Sequence, residues 1–339
     1  MNCLFWNVRG LGRGEKCITI KNLIEKNKVS CLGLVETKHR NSFRSRVRRM
    51  WGYDSYDWCE SLASETNSGG MIAIWDPTVF CALQRFIRDR WIVLEGYMTR
   101  DNFNCCVGFV YGPYDRMGRA HLYESLKMIV QSVNKPLLLM GDFNEVLNPW
   151  ERVGQFRYDR SMRDFIDWVQ ELHLIDIPLH GIRFTWARRD SLSRLDTCLC
   201  TDEWLTKFPE LRLDGIKRGP SDHNPICLSL ENLVNWGPKP FRCFDVWFSN
   251  PTFKEFVQRE WNNLPPLSLG NKLKALKAPL RTWSKERFGA MDDNIDKLEN
   301  VIHDLQKLGE QRQLDDLETA RLRAAQSHLH SWLIRRERT

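Results

Sequence analysis

Apolar residues in this chain come in short runs, and several of them stop on a polar residue. Cys3-Leu4-Phe5-Trp6 stops at Asn7, Val29 to Val35 stops at Glu36-Thr37, and Asn104 to Tyr111 is followed by Gly112-Pro113. Leu137 to Met140, opened by Pro136 and closed by Gly141, runs into Asp142. Such runs predict buried strands. Further strands are expected at Gly69–Trp75, Val79–Arg85 after the Asp76-Pro77 turn, Trp91–Tyr97, Arg183–Trp186, Arg194–Leu199 and Ile226–Leu230. Helical spacing predicts helices over Lys16–Lys26, His121–Val133 and Met162–Leu172, and a short one over Asp202–Phe208 capped by Asp202. Most helices are separated by several strands. Two layers of mostly antiparallel sheet flanked by helices therefore fit better than a doubly wound parallel sheet.

The texture changes after residue 232. Asn235-Trp-Gly-Pro-Lys-Pro240 reads as a linker, within 233–250, and 251–339 reads as charged helices. Phe253, Phe256, Val257 and Trp261 share one face, and Leu273, Leu276, Leu280 and Trp283 another, with Pro279 as a kink or break. Ile295, Leu298, Ile302 and Leu305 follow a heptad-like rhythm that Gly309 interrupts and Leu314, Leu317, Ala325, Leu329 and Trp332 resume. The last two segments are expected to form an antiparallel helical hairpin.

Composition narrows the class. Of 339 residues 42% are hydrophobic, enough for a sizeable core, so disorder of the whole chain is not expected. The net charge of +7 is compatible with a polyanionic partner. The 11 Cys form no CxxC pair and several lie within apolar runs, which points to reduced core thiols, not a disulfide framework or a zinc site. No signal peptide or membrane-spanning run is evident.

The strand ends and loops collect Asn7, Glu36, Tyr111, Asp142, Asn144, Asp196, Asp222 and His223. Each alone has a plain reading. Asp142-Phe143-Asn144 fits an ordinary turn, Asp196 a surface ion pair with Arg194, and Asp222-His223 a loop pair. Asp142 and Asn144, two apart, are expected to point the same way. Together the residues meet the needs of phosphodiester hydrolysis. Carboxylates bind a hard divalent cation, and a further acid activates water. A phenol and an imidazolium receive phosphate oxygens, and a second carboxylate orients the imidazole. The Lys38–Arg49 run carries many basic residues and no acid. It reads either as a solvated helix face or as a phosphate-contact surface.

Trp6-Asn7, Glu36-Thr37, Val110-Tyr111-Gly112-Pro113, Gly141-Asp142-Phe143-Asn144, Arg194-Leu195-Asp196 and Ser221-Asp222-His223-Asn224-Pro225, in this order, resemble the endonuclease/exonuclease/phosphatase superfamily across residues 1–231. Trp6-Asn7-Val8-Arg9-Gly10-Leu11-Gly12 and Phe184-Thr185-Trp186 look like the endonuclease of plant non-LTR (LINE-type) retrotransposons. The helical segment resembles the connector that precedes reverse transcriptase there, and the chain stops before any polymerase motif. The resemblance implies a four-layer α/β-sandwich over 1–232 with an α-helical C-terminal extension. It implies a Mg²⁺ ion (Mn²⁺ as the alternative) on Glu36, with Asn7 and Asp222 nearby. Asp142 would be the general base, held by Asn7 and Asn144. Tyr111 and His223 would stabilise the transition state, and Asp196 would orient His223. The implied activity is a DNA endonuclease that leaves a 3′-hydroxyl. A phosphomonoesterase, a 3′-exonuclease and a silent binding fragment are the alternatives. Arg9, Lys38, Arg40, Arg44 and Arg188 are candidate DNA contacts, with Arg183, Arg189 and Arg218 as further ones. His121, the only histidine between the Tyr111 and Asp142 motifs, reads as structural. The helical segment offers a face for self-association or for a reverse-transcriptase partner. Nuclear residence is implied by the resemblance alone.

Overall fold

The structure is a computed structural model that describes residues 1–12, 15–39, 43–63, 69–153, 159–188, 191–217, 219–230, 251–266, 268–284, 290–312 and 314–338. The expected linker at 233–250, and with it Asn235–Pro240, lies outside these residues. The chain divides into two compact units. One is Met1–Asn232 with Lys307–Gln313, the other Leu233–Gln306 with Leu314–Thr339.

The strands of the first unit are β1 (Asn2–Asn7), β2 (Cys31–Val35), β3 (Asp57–Ala63), β4 (Gly69–Trp75), β5 (Phe80–Arg88), β6 (Trp91–Met98), β7 (Phe103–Tyr111) and β8 (Leu137–Asp142). They continue with β9 (Arg152–Val153), β10 (Ile175–Asp176), β11 (Leu179–His180), β12 (Trp186–Arg188), β13 (Ser191–Ser193), β14 (Asp196–Cys200), β15 (Arg212–Gly215) and β16 (Ile226–Ser229). Its helices are α1 (Glu15–Asn27), α2 (Arg44–Trp51), α3 (Arg116–Val133), α4 (Arg160–Glu171) and α5 (Asp202–Lys207).

One sheet has the order β11-β15-β16-β1-β2-β4-β3 and the other β10-β14-β8-β7-β6-β5, while β12, β13 and β9 form a small third sheet. Pairing is mostly antiparallel. Of the three parallel pairs among the described residues, β1/β2 and β7/β8 each enclose a single helix, α1 and α3 respectively, and β11/β15 is the third. The large sheets face one another, β1 over β8 and β2 over β7, and Gly33 lets them close. A Cβ there would lie 2.1 Å from the Phe109 ring. Alternation sorts the side chains. Cys3, Phe5, Val107, Phe109, Leu138 and Met140 fill the space between the sheets. Leu4, Trp6, Leu32 and Leu34 face α1 and α2, and Leu137, Leu139 and Val110 face α3 and α4. Helix, sheet, sheet and helix make the expected four-layer α/β-sandwich.

Several elements differ from the sequence reading. β3 and β15 have mixed polarity along their length and no apolar run, so periodicity missed them. The strand expected at Arg183–Trp186 pairs only from Trp186 to Arg188. Helix α3 starts at Arg116 because Asp115 caps it, accepting from Gly118 N at 2.7 Å, which leaves His121 exposed inside the helix. In α5 the N-cap position belongs to Thr201, which makes no side-chain capping hydrogen bond, and Asp202 is the first helical residue. The described cysteines are all free.

After residue 250 the helices are α6 (Phe253–Asn263), α7 (Leu269–Ser284), α8 (Ala290–Gln311) and α9 (Asp316–Arg338). Phe253, Phe256, Val257 and Trp261 pack with Leu276, Leu280 and Trp283. Leu298, Val301 and Ile302 pack with Leu322, Ala325 and Leu329. Pro279 lies inside α7 and Gly309 inside α8 without ending either helix. Leu273 is 54% exposed and Leu317 83%, so neither joins the apolar face expected of it. No helix among the described residues is long and apolar enough to cross a membrane.

Candidate active site

Alternation places the site at one end of the inter-sheet core. On β1 the inward series Cys3, Phe5 continues to Asn7. On β7 it continues from Phe109 to Tyr111, on β8 from Met140 to Asp142, and on β14, read backwards, from Cys198 to Asp196. Register then aligns three of them. Tyr111 pairs with Asp142 across the parallel ladder, and Asp142 with Asp196 across the antiparallel one. Polar side chains thus replace apolar ones where the core meets solvent. Glu36 has the opposite parity, being one residue past the inward Val35, yet it reaches the same site. Its φ of +53° turns the chain at the end of β2. Arg9 (φ +48°), Lys38 (φ +54°) and Asn144 (φ +51°) are also left-handed, a conformation that costs roughly 1–2 kcal/mol per L-residue. Strain of this kind gathers at functional sites.

Asn7 joins the two sheets. Its Nδ2 donates to Glu36 Oε1 at 3.1 Å and to Asp142 Oδ2 at 2.8 Å. His223 is set by backbone contacts on both sides. Trp6 Nε1 donates to its carbonyl at 2.9 Å, and Asn224 N donates to Thr185 O at 2.7 Å. Its ring then lies between two carboxylates, with Nδ1 2.8 Å from Asp196 Oδ2 and Nε2 3.7 Å from Asp142 Oδ2. All three side chains are buried to 1% exposure or less. Burial pushes the Asp142 carboxyl up to about 7, offset in part by His223. Burial alone would lower His223, but Asp196 and Asp142 outweigh it and raise the imidazole to about 9. Between these two values the pair stands as carboxylate and imidazolium, a proton acceptor beside a donor. Tyr111 is a buried phenol held well above its ordinary value by burial and by Glu36, so it stays a donor.

Ligand atoms of Asp142, Asp196 and His223 lie within 4.8 Å of one another, a spacing a metal could use. The imidazole argues otherwise. With a carboxylate facing each ring nitrogen it is doubly protonated and has no lone pair to give. The better cation site is next to it. Glu36, Asp222 and the Asn7 amide offer only oxygen donors, which suits a hard divalent ion such as Mg²⁺ or Mn²⁺. Glu36 is 3% exposed, and its carboxyl is lowered despite burial by hydrogen bonds from Asn7 and by the charge of Arg9. Burial of an acid held ionised is a donor set that fits a cation.

The eight expected catalytic and metal residues converge, with one correction. Asn144 does not point with Asp142, because the chain leaves the strand at Phe143 and turns left-handed. Its side chain donates to Gly112 O at 2.6 Å, and it holds Asp142 only through its backbone N–H, 3.0 Å from Asp142 Oδ1. Asp222 faces Arg9 and Trp186, whose Nε1 donates to Asp222 Oδ2 at 3.2 Å. Among the candidate DNA contacts, Arg9 lies inside the site and Lys38 Nζ is 3.5 Å from Glu36 Oε2. Arg44 and Arg188 are exposed on α2 and β12. Arg183 donates to Trp150 O at 3.1 Å. Arg40, Arg189 and Arg218 are outside the described residues. Arg44, Arg48 and Arg49 of this run are exposed on α2, whose Val47, Met50 and Trp51 are buried beside the N-cap residue Phe43.

Sequence reasoning missed Tyr114 and Trp186. Tyr114 Oη donates to Glu36 Oε1 at 3.0 Å while its residue remains 61% exposed. The Pro113-Tyr114 step directly after a strand ending at the site was the available signal.

The sequence matches the endonuclease/exonuclease/phosphatase family over residues 4–223. The chain belongs to this family. Membership makes it a hydrolase acting on phosphate esters. No curated protein sequence matches it. Among solved structures it is similar to the endonuclease domain of TRAS1, a telomere-specific non-LTR retrotransposon (17% identity, TM-score 0.51, covering 67% of this chain and 96% of that one). It is also similar to the AP endonuclease LMAP from Leishmania major (15% identity, TM-score 0.54, 67% and 86% covered). A third similar structure is an AP endonuclease from Archaeoglobus fulgidus (15% identity, TM-score 0.53, 68% and 98% covered). At these identities the likeness is one of fold, and it matches the four-layer arrangement of this family member.

Proposed function

We propose that this family member is a Mg²⁺-dependent endonuclease of retroelement type that nicks one strand of DNA and leaves a 3′-hydroxyl. The observation that carries the reading is Asp142, fixed by Asn7 at 2.8 Å and facing His223 at 3.7 Å, with Asp196 behind the imidazole. Asp142 takes the proton of the attacking water. His223 and Tyr111 donate to phosphoryl oxygens as negative charge grows on them, and Asp196 keeps the imidazole charged and oriented. Asn7 fixes the base relative to Glu36. A divalent cation on Glu36, Asp222 and Asn7 supplies charge neutralisation of the phosphate and of the leaving oxygen. Mn²⁺ meets the same donor set. Lys38, Arg44 and Arg188, with Arg9 and Arg40, are the basic residues for contacts to the DNA backbone, which position without reading sequence. Catalysis is assigned to 1–232, with 251–339 as a helical connector that is free to self-associate or to carry a reverse-transcriptase partner. Residence is nuclear.

The test is the conversion of supercoiled plasmid to open circle by purified full-length protein, with and without Mg²⁺, beside Asp142→Ala and His223→Ala. Mg²⁺-dependent nicking lost in both variants supports the reading. Nicking as fast in the variants as in the parent defeats the site assignment. Hydrolysis of phosphomonoesters or of 3′ ends, with no nicking of closed circles, would favour a phosphatase or exonuclease instead.

A further inference from the structure

Glu36 and Asp222, the two carboxylates of the cation site, are already bridged by a cation of the chain itself. Arg9 sets Nε 2.9 Å from Asp222 Oδ1 and Nη1 3.3 Å from Glu36 Oε1. Nη1 also donates to Tyr114 Oη at 2.8 Å, and that hydroxyl donates onward to Glu36 Oε1 at 3.0 Å. The Arg9 side chain is only 25% exposed, and its backbone is fixed in a left-handed turn whose N–H donates to Asn7 Oδ1 at 3.1 Å. The guanidinium therefore sits between the two carboxylates proposed for the metal, and the Arg9 backbone N–H donates to the Asn7 oxygen. A guanidinium cannot shed its charge in a protein. It cannot share the space between these carboxylates with a divalent ion at low cost.

We propose that Arg9 is a built-in counter-ion that competes with the divalent cation. It neutralises Glu36 and Asp222 in the metal-free protein and leaves them when the cation binds. Two effects follow. The site stays assembled without metal, since two close carboxylates would otherwise repel each other. Metal affinity is lower than the donor set alone would give, because the cation must first break a shielded ion pair. Lys38 is a weaker competitor, 43% exposed and 3.5 Å from Glu36.

This inference rests on the proposed cation site, and the experiment separates the two. Mn²⁺ binding to the full chain is measured from the free-Mn²⁺ electron paramagnetic resonance signal, without substrate. The proteins are the parent, Arg9→Gln, Arg9→Lys, Tyr114→Phe and Glu36→Gln, each checked for fold by circular dichroism. Arg9→Gln is expected to bind Mn²⁺ about tenfold more tightly than the parent, which is about 1.4 kcal/mol. Arg9→Lys keeps a charge but loses the fork and is expected in between, as is Tyr114→Phe, which loses the hydroxyl that holds Arg9 in place. Should Arg9→Gln not fold, the other two must still bind more tightly than the parent. Parent-like or weaker binding in the folded Arg9 and Tyr114 variants overturns the competition. Glu36→Gln is expected to weaken Mn²⁺ binding. If it does not, the cation site itself is wrongly placed.

Discussion

Replacing Asp196 by Asn removes one charge while leaving the shape of the site. Asp196 is fully buried, and its Oδ1 has no donor among the described residues. The amide NH₂ can take that position while the carbonyl keeps the contact to His223 Nδ1, now 2.8 Å. What is lost is the pull that holds the imidazole at about 9 against burial. If His223 falls to its ordinary value of about 6.5, its protonated fraction at pH 8 drops from roughly 0.9 to roughly 0.03. That is a loss of roughly 30-fold in rate at pH 8, and more if burial lowers the imidazole further. At pH 6 the same arithmetic gives less than about a twofold loss. Asp142 feels two opposed changes, the loss of the Asp196 charge that raises it and of the His223 charge that lowers it, so the predicted shift is that of the alkaline limb, which moves to lower pH. The assay is the initial rate of plasmid nicking at saturating Mg²⁺ from pH 5.5 to 9.5. A loss by the same factor at every pH would refute the reasoning, since Asp196 would then act through geometry alone.

Other expectations test the frame around the site. Gly112→Ala puts a Cβ 2.3 Å from the Phe143 carbonyl oxygen, a backbone atom that cannot step aside, and should cost about 1–3 kcal/mol, read as a drop in Tm. Lys28→Gly relieves a left-handed residue just past the end of α1 (φ +49°) and should add about 1 kcal/mol of stability with nicking unchanged, measured by denaturant titration. A protein ending at Asn232 should retain Mg²⁺-dependent nicking, because every proposed catalytic and metal residue precedes it. Loss of nicking in a folded truncation would place a catalytic contribution in the helices.

Much of this was legible in the chain. Four strand ends were readable because their apolar runs stop at Asn7, Glu36, Tyr111 and Asp142, and alternation alone carries Phe109 to Tyr111 and Met140 to Asp142. The same rule failed at Asn144 and could not have placed Glu36, since both depend on a left-handed φ that side-chain pattern does not encode. Arg9 was readable as a basic residue near the site but not as a partner of Glu36 and Asp222. That contact joins residues 9, 36 and 222 and exists only once β16 pairs with β1 and β1 with β2. Tyr114 was missed because an exposed aromatic in a loop has no periodic neighbours. Periodicity likewise located α3 only from His121, six residues past the Asp115 cap that starts it.

The amide of Asn7 spans the gap between the sheets, holding Glu36 of one and Asp142 of the other at 3.1 and 2.8 Å. It works as a gauge of sheet separation. That separation is set far from the site, by contacts such as Gly33 against the Phe109 ring. A cavity or an extra methyl along this seam would change the spacing of Asp142 and Glu36 by tenths of an ångström before it threatened the fold. Turnover should therefore fade ahead of unfolding on heating, and buried residues of the seam should be as intolerant of exchange in an activity screen as the catalytic ones.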